Sequence, residues 1–394
     1  MEENRRRKEE DISYKAKLGR HQVLKFYRAC IIIILLAIAA VCIFFYWKNK
    51  EYVDYEVRQQ YAWNKSGEAQ CLNLDGYLLV YSKDGMSCVD TKGNTVWNQS
   101  YEMQAPIIKI CGSVVAAGDY NGRNIYVAGT DGIIGTIHTT MPIRDIAVSE
   151  NGVVAAVLED SEVTAIYLYN AQKGEPFADF KTTMSKSGYP IAVDVSDDGK
   201  LVAVSYLKAE DGEIVSNVGF YNFSSVGQNY TDNLVGVYVY DRAVVPLVEF
   251  MSTDAVFCVA DDRLMLYEGE QIPTNTKVVM LTEEVLSVYH NEEYVGLVSY
   301  NTAGETQDTY RLDIYNIAGD KEKEITFDIE YKEIIFDSKS VIIYNEDECC
   351  IYNWDGRLKY AGRFKERIQC ILPMGSVSRY TVVTGDSIQL IELN

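Results

Sequence analysis

The chain has 394 residues, with 37 Lys and Arg against 57 Asp and Glu and a net charge of −20. A chain this acidic excludes nucleic acid as a partner, because that role needs a basic face. Apolar residues make up 47% and prolines number only seven, so there is ample material for a core and no linker-like composition.

Residues 1–28 hold nine Lys and Arg against five Asp and Glu, which leaves 29–394 at −24. Residues 29–47 (ACIIIILLAIAAVCIFFYW) then run without a charge. As a helix they would span roughly 28 Å, close to a bilayer's hydrocarbon thickness. Lys25 and Arg28 precede the run, and Lys48 and Lys50 follow it. A cleaved signal peptide fits less well, because the polar leader is long and no small-x-small site is present. Val41 is a poor residue before a lipidated Cys42, so a lipoprotein anchor is disfavoured too. The expectation is an uncleaved signal anchor in the plasma membrane. The basic tail 1–28 would be cytoplasmic and the remainder extracytoplasmic, by the positive-inside rule.

Residues 48–68 read as a linker plus a spare β-rich segment at 52–63. From Ala69 onward one pattern repeats eight times, with unit starts at Ala69, Ala105, Ile143, Tyr189, Val244, Glu283, Lys332 and Gln369. Each unit has an approach strand, a turn, a very apolar run, a second turn often carrying an acid, and a Tyr/Ile-rich strand. Six of the apolar runs are YLLVY at 77–81, VVAAG at 114–118, VVAAVL at 153–158, LVAVSY at 201–206, AVFCVA at 255–260 and YVGLVSY at 294–300. SVIIY at 340–344 and YTVVT at 380–384 complete the set. Such β-branched and aromatic runs, bounded by turn residues, read as strands covered on both faces. The 36 to 55 residues between starts suit one four-stranded blade per unit. The fold class is therefore all-β: a β-propeller at 69–394, with eight blades favoured over seven, preceded by one transmembrane helix. The last unit holds only three strands, so the segment at 52–63 is expected to complete it and close the ring.

Nine cysteines include Cys30 and Cys42 in the apolar segment, and the seven others make a complete disulfide framework impossible. Cys71, Cys111, Cys258 and Cys370 sit in apolar strands and read as small buried hydrophobes. Cys349 and Cys350 are adjacent and face opposite sides of one strand. No C-x-x-C, H-E-x-x-H, G-x-S-x-G or P-loop occurs. His138 and His290 lie in different units and read as hydrogen-bonded structural residues. No catalytic residue, cofactor site or metal site is assigned.

The turns between second and third strands repeatedly carry acids. Asp119, Asp160, Asp211, Asp262, Asp308 and Asp347 come from six units, and propeller topology puts such turns on one face beside the channel. Turn chemistry explains them. A ligand-facing acidic ring that attracts a basic partner or Ca²⁺ is the sharper reading. Tyr221 and Tyr230, around the polar loop at 224–233, are further candidate ligand contacts.

The segment SDDGK at 196–200 followed by LVAVS, and SENG at 149–152 followed by VVAAV, resemble the turn-plus-strand signature of TolB-type and WD-repeat-like propellers. VDTKGNTVW at 89–97 resembles the Asp…Gly…Trp motif of quinoprotein-like propellers, a group that includes an outer-membrane assembly lipoprotein. The overall plan resembles an uncharacterised family of single-pass envelope proteins of anaerobic Gram-positive bacteria. Trp354-Asp355 is isolated, the Gly-His of true WD repeats is missing, and no residue set matches a quinone pocket. The resemblance implies a binding or scaffold module for envelope proteins, peptides or glycans. The alternative is an extracytoplasmic hydrolase or lyase that uses carboxylates, with or without Ca²⁺, at the channel mouth.

Overall fold

A computed structural model describes residues 31–39, 42, 45, 49–63, 67, 69–161, 163–182, 187–302 and 307–394. The chain divides into two compact units, Met1–Glu51 and Tyr52–Asn394. In the first, residues 31–39, 42, 45 and 49 are helical, and Ile31 to Leu36 are exposed. Among the described residues no helix is long and apolar enough to cross a membrane. The tail 1–28 lies outside the described residues, and 29–47 is described only in part.

The second unit is an eight-bladed propeller of four-stranded antiparallel sheets. Blades 1 to 7 span residues 70–100, 106–138, 143–182, 189–241, 247–280, 287–327 and 333–363, each in simple meander order. The first strand of each blade (a) is innermost, as the contacts between first strands of neighbouring blades show. Strands b, c and d lie successively farther out. Blade 8 takes its a, b and c strands from Cys370–Pro373, Arg379–Val383 and Ser387–Leu393, and its d strand from Tyr55–Ala62. Tyr55 pairs with Leu393 and Ala62 with Ser387. Asn394 N–H donates to the Asp54 carbonyl at 3.0 Å, and the Arg58 guanidinium reaches Glu392 at 2.8 Å. The two ends of the propeller thus share one sheet.

The apolar runs are the b strands, and packing explains their composition. On Val153–Glu159, Val154, Ala156 and Leu158 join the cluster shared with blade 2, while Val153, Ala155 and Val157 join the one shared with blade 4. Successive side chains point to opposite faces, and both faces are dry, so no polar position is tolerated. The SDDGK and SENG segments are a–b turns. Ser196 and Ser149 accept the N–H of Leu201 and Val153, each at 2.9 Å, and so start the b strand. Asp211 (φ 52°) and Gly212 (φ 85°) form a two-residue turn with both residues left-handed, the conformation that Asp-Gly favours in a hairpin.

Candidate functional site: the central channel

Antiparallel order puts a–b and c–d turns on one face of the ring, and b–c turns with d–a connectors on the other. Because strand a is innermost, the a–b turns rim the channel, and the b–c turns stand one strand farther out.

The six acids singled out above do share the b–c face, spread over blades 2 to 7, and each serves local structure. Asp119 Oδ1 accepts the N–H groups of Gln104 and Ala105 at 3.0 and 2.9 Å, pinning the connector into blade 2. Asp160 Oδ1 accepts Val163 N–H at 3.1 Å, and Asp308 Oδ2 accepts the Thr326 hydroxyl at 2.6 Å. Asp262 makes a two-pronged pair with Arg263 at 2.6 Å on both arms. Asp211 forms the turn described above, and the Asp347 N–H donates to Asn345 Oδ1 at 2.9 Å. Tyr221 lies inside, stacked on Phe180 at 4.1 Å and bonded to the Tyr206 hydroxyl at 2.7 Å. Tyr230 is 41% exposed, between two short 3-10 turns. Among the described residues no group of three or more His, Cys, Asp or Glu is arranged to hold a metal ion.

A different set converges on the channel. Each inner strand of blades 2 to 6 carries an ionisable residue within an apolar stretch: Lys109, Asp145, Asp194, Glu249 and His290. Asp194 Oδ2 accepts Phe250 N–H at 2.6 Å, which joins blades 4 and 5. The next join is between Glu249 Oε2 and His290 Nε2, 3.3 Å apart, where blade 5 meets blade 6. Burial pushes the Asp194 carboxyl up to about 7, Glu249 adds to this, and the Phe250 N–H and Lys109 hold it back. Asp145 is raised by burial as well, against Lys109 and the Ile146 N–H. Burial alone would lower His290, but the bond to Glu249 and the charge of Asp194 outweigh it, so the imidazole is raised. Charge placed in a poorly hydrated lumen is thus balanced by neighbours from adjacent blades.

At the a–b rim the Glu150 carboxyl is raised by desolvation and by the charges of Asp197, Glu292 and Asp75. These four acids come from blades 3, 4, 6 and 1, so the rim gathers negative charge across the lumen. Just inside, the Cys111 Sγ donates to Asp197 Oδ1 at 3.3 Å, and burial drives its thiol well up. The opposite arc of the channel, between blades 7, 8, 1 and 2, is different in chemistry. There the inner strands enclose a cavity of about 500 Å³ in which carboxamides and aliphatic side chains stand beside Lys332 and Glu333.

In the sequence the lumen set stands out less than the acids of the turns. Its signal is present all the same: PIIKIC, IRDIAV, YPIAVDV, LVEF and SVYH are each interrupted by Lys, Asp, Glu or His, with Arg144 also in IRDIAV.

Eight closed blades around a polar lumen define the class, a β-propeller. Residues 48–393 match the family described as "Family of unknown function (DUF5711)", and the chain belongs to that family. No curated protein matches the sequence. Among solved structures, BamB from Moraxella catarrhalis is similar, at 12% identity and a TM-score of 0.50, over 86% of this chain and 100% of that one. A eukaryotic initiation factor is similar at 10% identity and TM-score 0.45, over 78% of this chain and 96% of that one. The BBS1N chain crystallised with ARL6DN follows at 9% and 0.42, over 87% and 98%. The BamB likeness shows a shared propeller fold and nothing finer.

Proposed function

We propose that this protein is a membrane-anchored, extracytoplasmic propeller that binds or scaffolds envelope proteins, peptides or glycans. The observation that carries the reading is the channel, to which the inner strands of successive blades contribute ionisable and amide side chains. A concave, mostly preformed site with convergent polar groups is the usual seat of a ligand. The acidic turns of Asp119, Asp160, Asp211, Asp262, Asp308 and Asp347, with Tyr230, extend the contact area over the b–c face, and Tyr221 supports it from inside. Anchoring and orientation rest on the uncharged run at 29–47 and the Lys/Arg excess before it. The reading needs no cofactor, and millimolar Ca²⁺ is expected to leave the melting temperature unchanged. Protease or an impermeant label added to intact cells should reach the propeller, and crosslinking in those cells should capture a partner. Protection until lysis would reverse the orientation, and the absence of any specific crosslink would remove the binding role.

One observation favours a second reading, a carboxylate-dependent hydrolase or lyase. Asp194, raised to about 7, stands beside Glu249 and its His290 partner, an arrangement that general acid–base chemistry uses. Asp194→Asn would then abolish turnover of an envelope substrate while leaving crosslinked partners in place.

A further inference from the structure

The channel wall is chemically divided. Blades 2 to 6 present ionisable groups, whereas the cavity between blades 7, 8, 1 and 2 sets three carboxamides (Gln70, Asn73, Gln369) and Tyr344 beside Lys332 and Glu333. Leu72, Ile110 and Ile335 form its apolar wall. Its volume, about 500 Å³, is in the range of small-ligand sites.

Two of the amides are oriented by the fold. Gln70 Oε1 accepts the Tyr81 hydroxyl at 2.6 Å, and Asn73 Oδ1 accepts the Gly76 N–H at 2.9 Å. With those oxygens engaged, their NH₂ groups are the ends these residues offer a ligand. Burial raises Glu333, against the Ile334 N–H and Lys332, and its carboxyl oxygens accept hydrogen bonds. Lys332 reaches Glu346 at 3.8 Å, so its charge has a protein counterion. A charged ligand would find a better opposite charge in the other arc of the channel. A wholly apolar ligand would strip water from the amides without replacing their hydrogen bonds, at a cost. What matches is an uncharged molecule with a hydroxyl-bearing edge and a C–H face.

We propose that this cavity binds a neutral saccharide, one or two rings of a glycan, with its hydroxyls on Gln70, Asn73, Gln369 and Glu333 and its C–H face on Leu72, Ile110 and Ile335. The assignment rests on the binding-module reading and supplies its ligand class.

The test is calorimetry and saturation-transfer NMR on the full-length protein with cellobiose, maltotriose and chitotriose. At least one should bind saturably. Gln70→Ala, Gln369→Ala and the space-filling Ile335→Phe should each weaken it at least tenfold, while Asp131→Asn, in an exposed c–d turn of blade 2, leaves it unchanged. Melting curves accompany each variant. If Ile335→Phe fails to fold, the two glutamine variants decide. Binding by none of the three saccharides, binding that survives the glutamine changes, or displacement by a basic peptide would each overturn the assignment. If the saccharides fail while crosslinked protein partners persist, the ligand class falls and the binding module stands. Loss of both removes both.

Discussion

At the scale of single residues, the lumen gives the protein an unusual response to pH. The Asp194 carboxyl sits near 7 when folded, against an ordinary value of 3.8, so the folded state holds that proton more tightly. Its ionisation therefore costs stability as pH rises from about 4, and the cost is complete above about 7. His290 acts in the same direction: raised above 6.5, it contributes stability at low pH that is lost as pH climbs through its folded value. Asp145, Glu150 and Glu333, all raised, have the sign of Asp194. The melting temperature should therefore increase on going from pH 8 to pH 5. Below about 4 the trend should reverse, because Asp198, Asp262 and Glu324 are held below their ordinary values and lose their cations when protonated. Asp194→Asn can still accept the Phe250 N–H but cannot ionise. It should be more stable than wild type at pH 8, by roughly 1–4 kcal/mol, with a clearly smaller advantage at pH 5 and none below about pH 4. Thermal melts at the two pH values check this, and equal effects at both would mean that Asp194 does not titrate in that window.

At the scale of elements, the closing strand is the most exposed dependency. Tyr55–Ala62 covers the edge of Ser387–Leu393, and without it that edge would present a row of unpaired backbone groups. Deleting 52–63 should give an aggregated domain or one that unfolds without cooperativity, whereas deleting 1–48 should leave a soluble, cooperative one. Light scattering and denaturant melts distinguish the outcomes, and equal behaviour would mean closure by other contacts. The b strands were readable in the sequence because neighbouring blades bury both their faces, which forces runs such as SVIIY and AVFCV. Unit count and closure followed from those runs and the turns between them. The lumen was not readable in the same way. Lys109, Asp145 and Glu249 each look like a solvent-facing break in an amphipathic strand, and only the radial order of strands turns them inward. Tyr221 failed as a surface candidate for a related reason, since its strand alternates between two buried faces and its hydroxyl is met by Tyr206.

At the scale of the whole molecule, the distribution of charge matters more than its sum. Both faces of the ring carry acids, but they differ in what holds them. On the b–c face Asp119 accepts two backbone N–H groups and Asp262 clasps Arg263, so these charges are compensated locally. Asp119→Ala should cost about 1 kcal/mol, because the connector loses both acceptors. At the a–b rim Glu150 is raised by burial and by the charges of Asp197, Glu292 and Asp75. Repulsion of that kind is screened over a Debye length of about 10 Å at 0.1 M salt. The triple change Glu150→Gln, Asp197→Asn, Glu292→Gln should therefore raise the melting temperature at low salt, and salt should bring wild type toward the variant. The matched change Asp160→Asn, Asp211→Asn, Asp347→Asn removes the same net charge from turns spaced around the ring. It should recover much less of the salt dependence, because each of these residues belongs to a separate turn and does not face the others across a channel. Melting curves from low to high salt for the three proteins decide the matter. Equal slopes for both variants would mean that only total charge counts and that the rim holds no concentrated field to attract a cationic group.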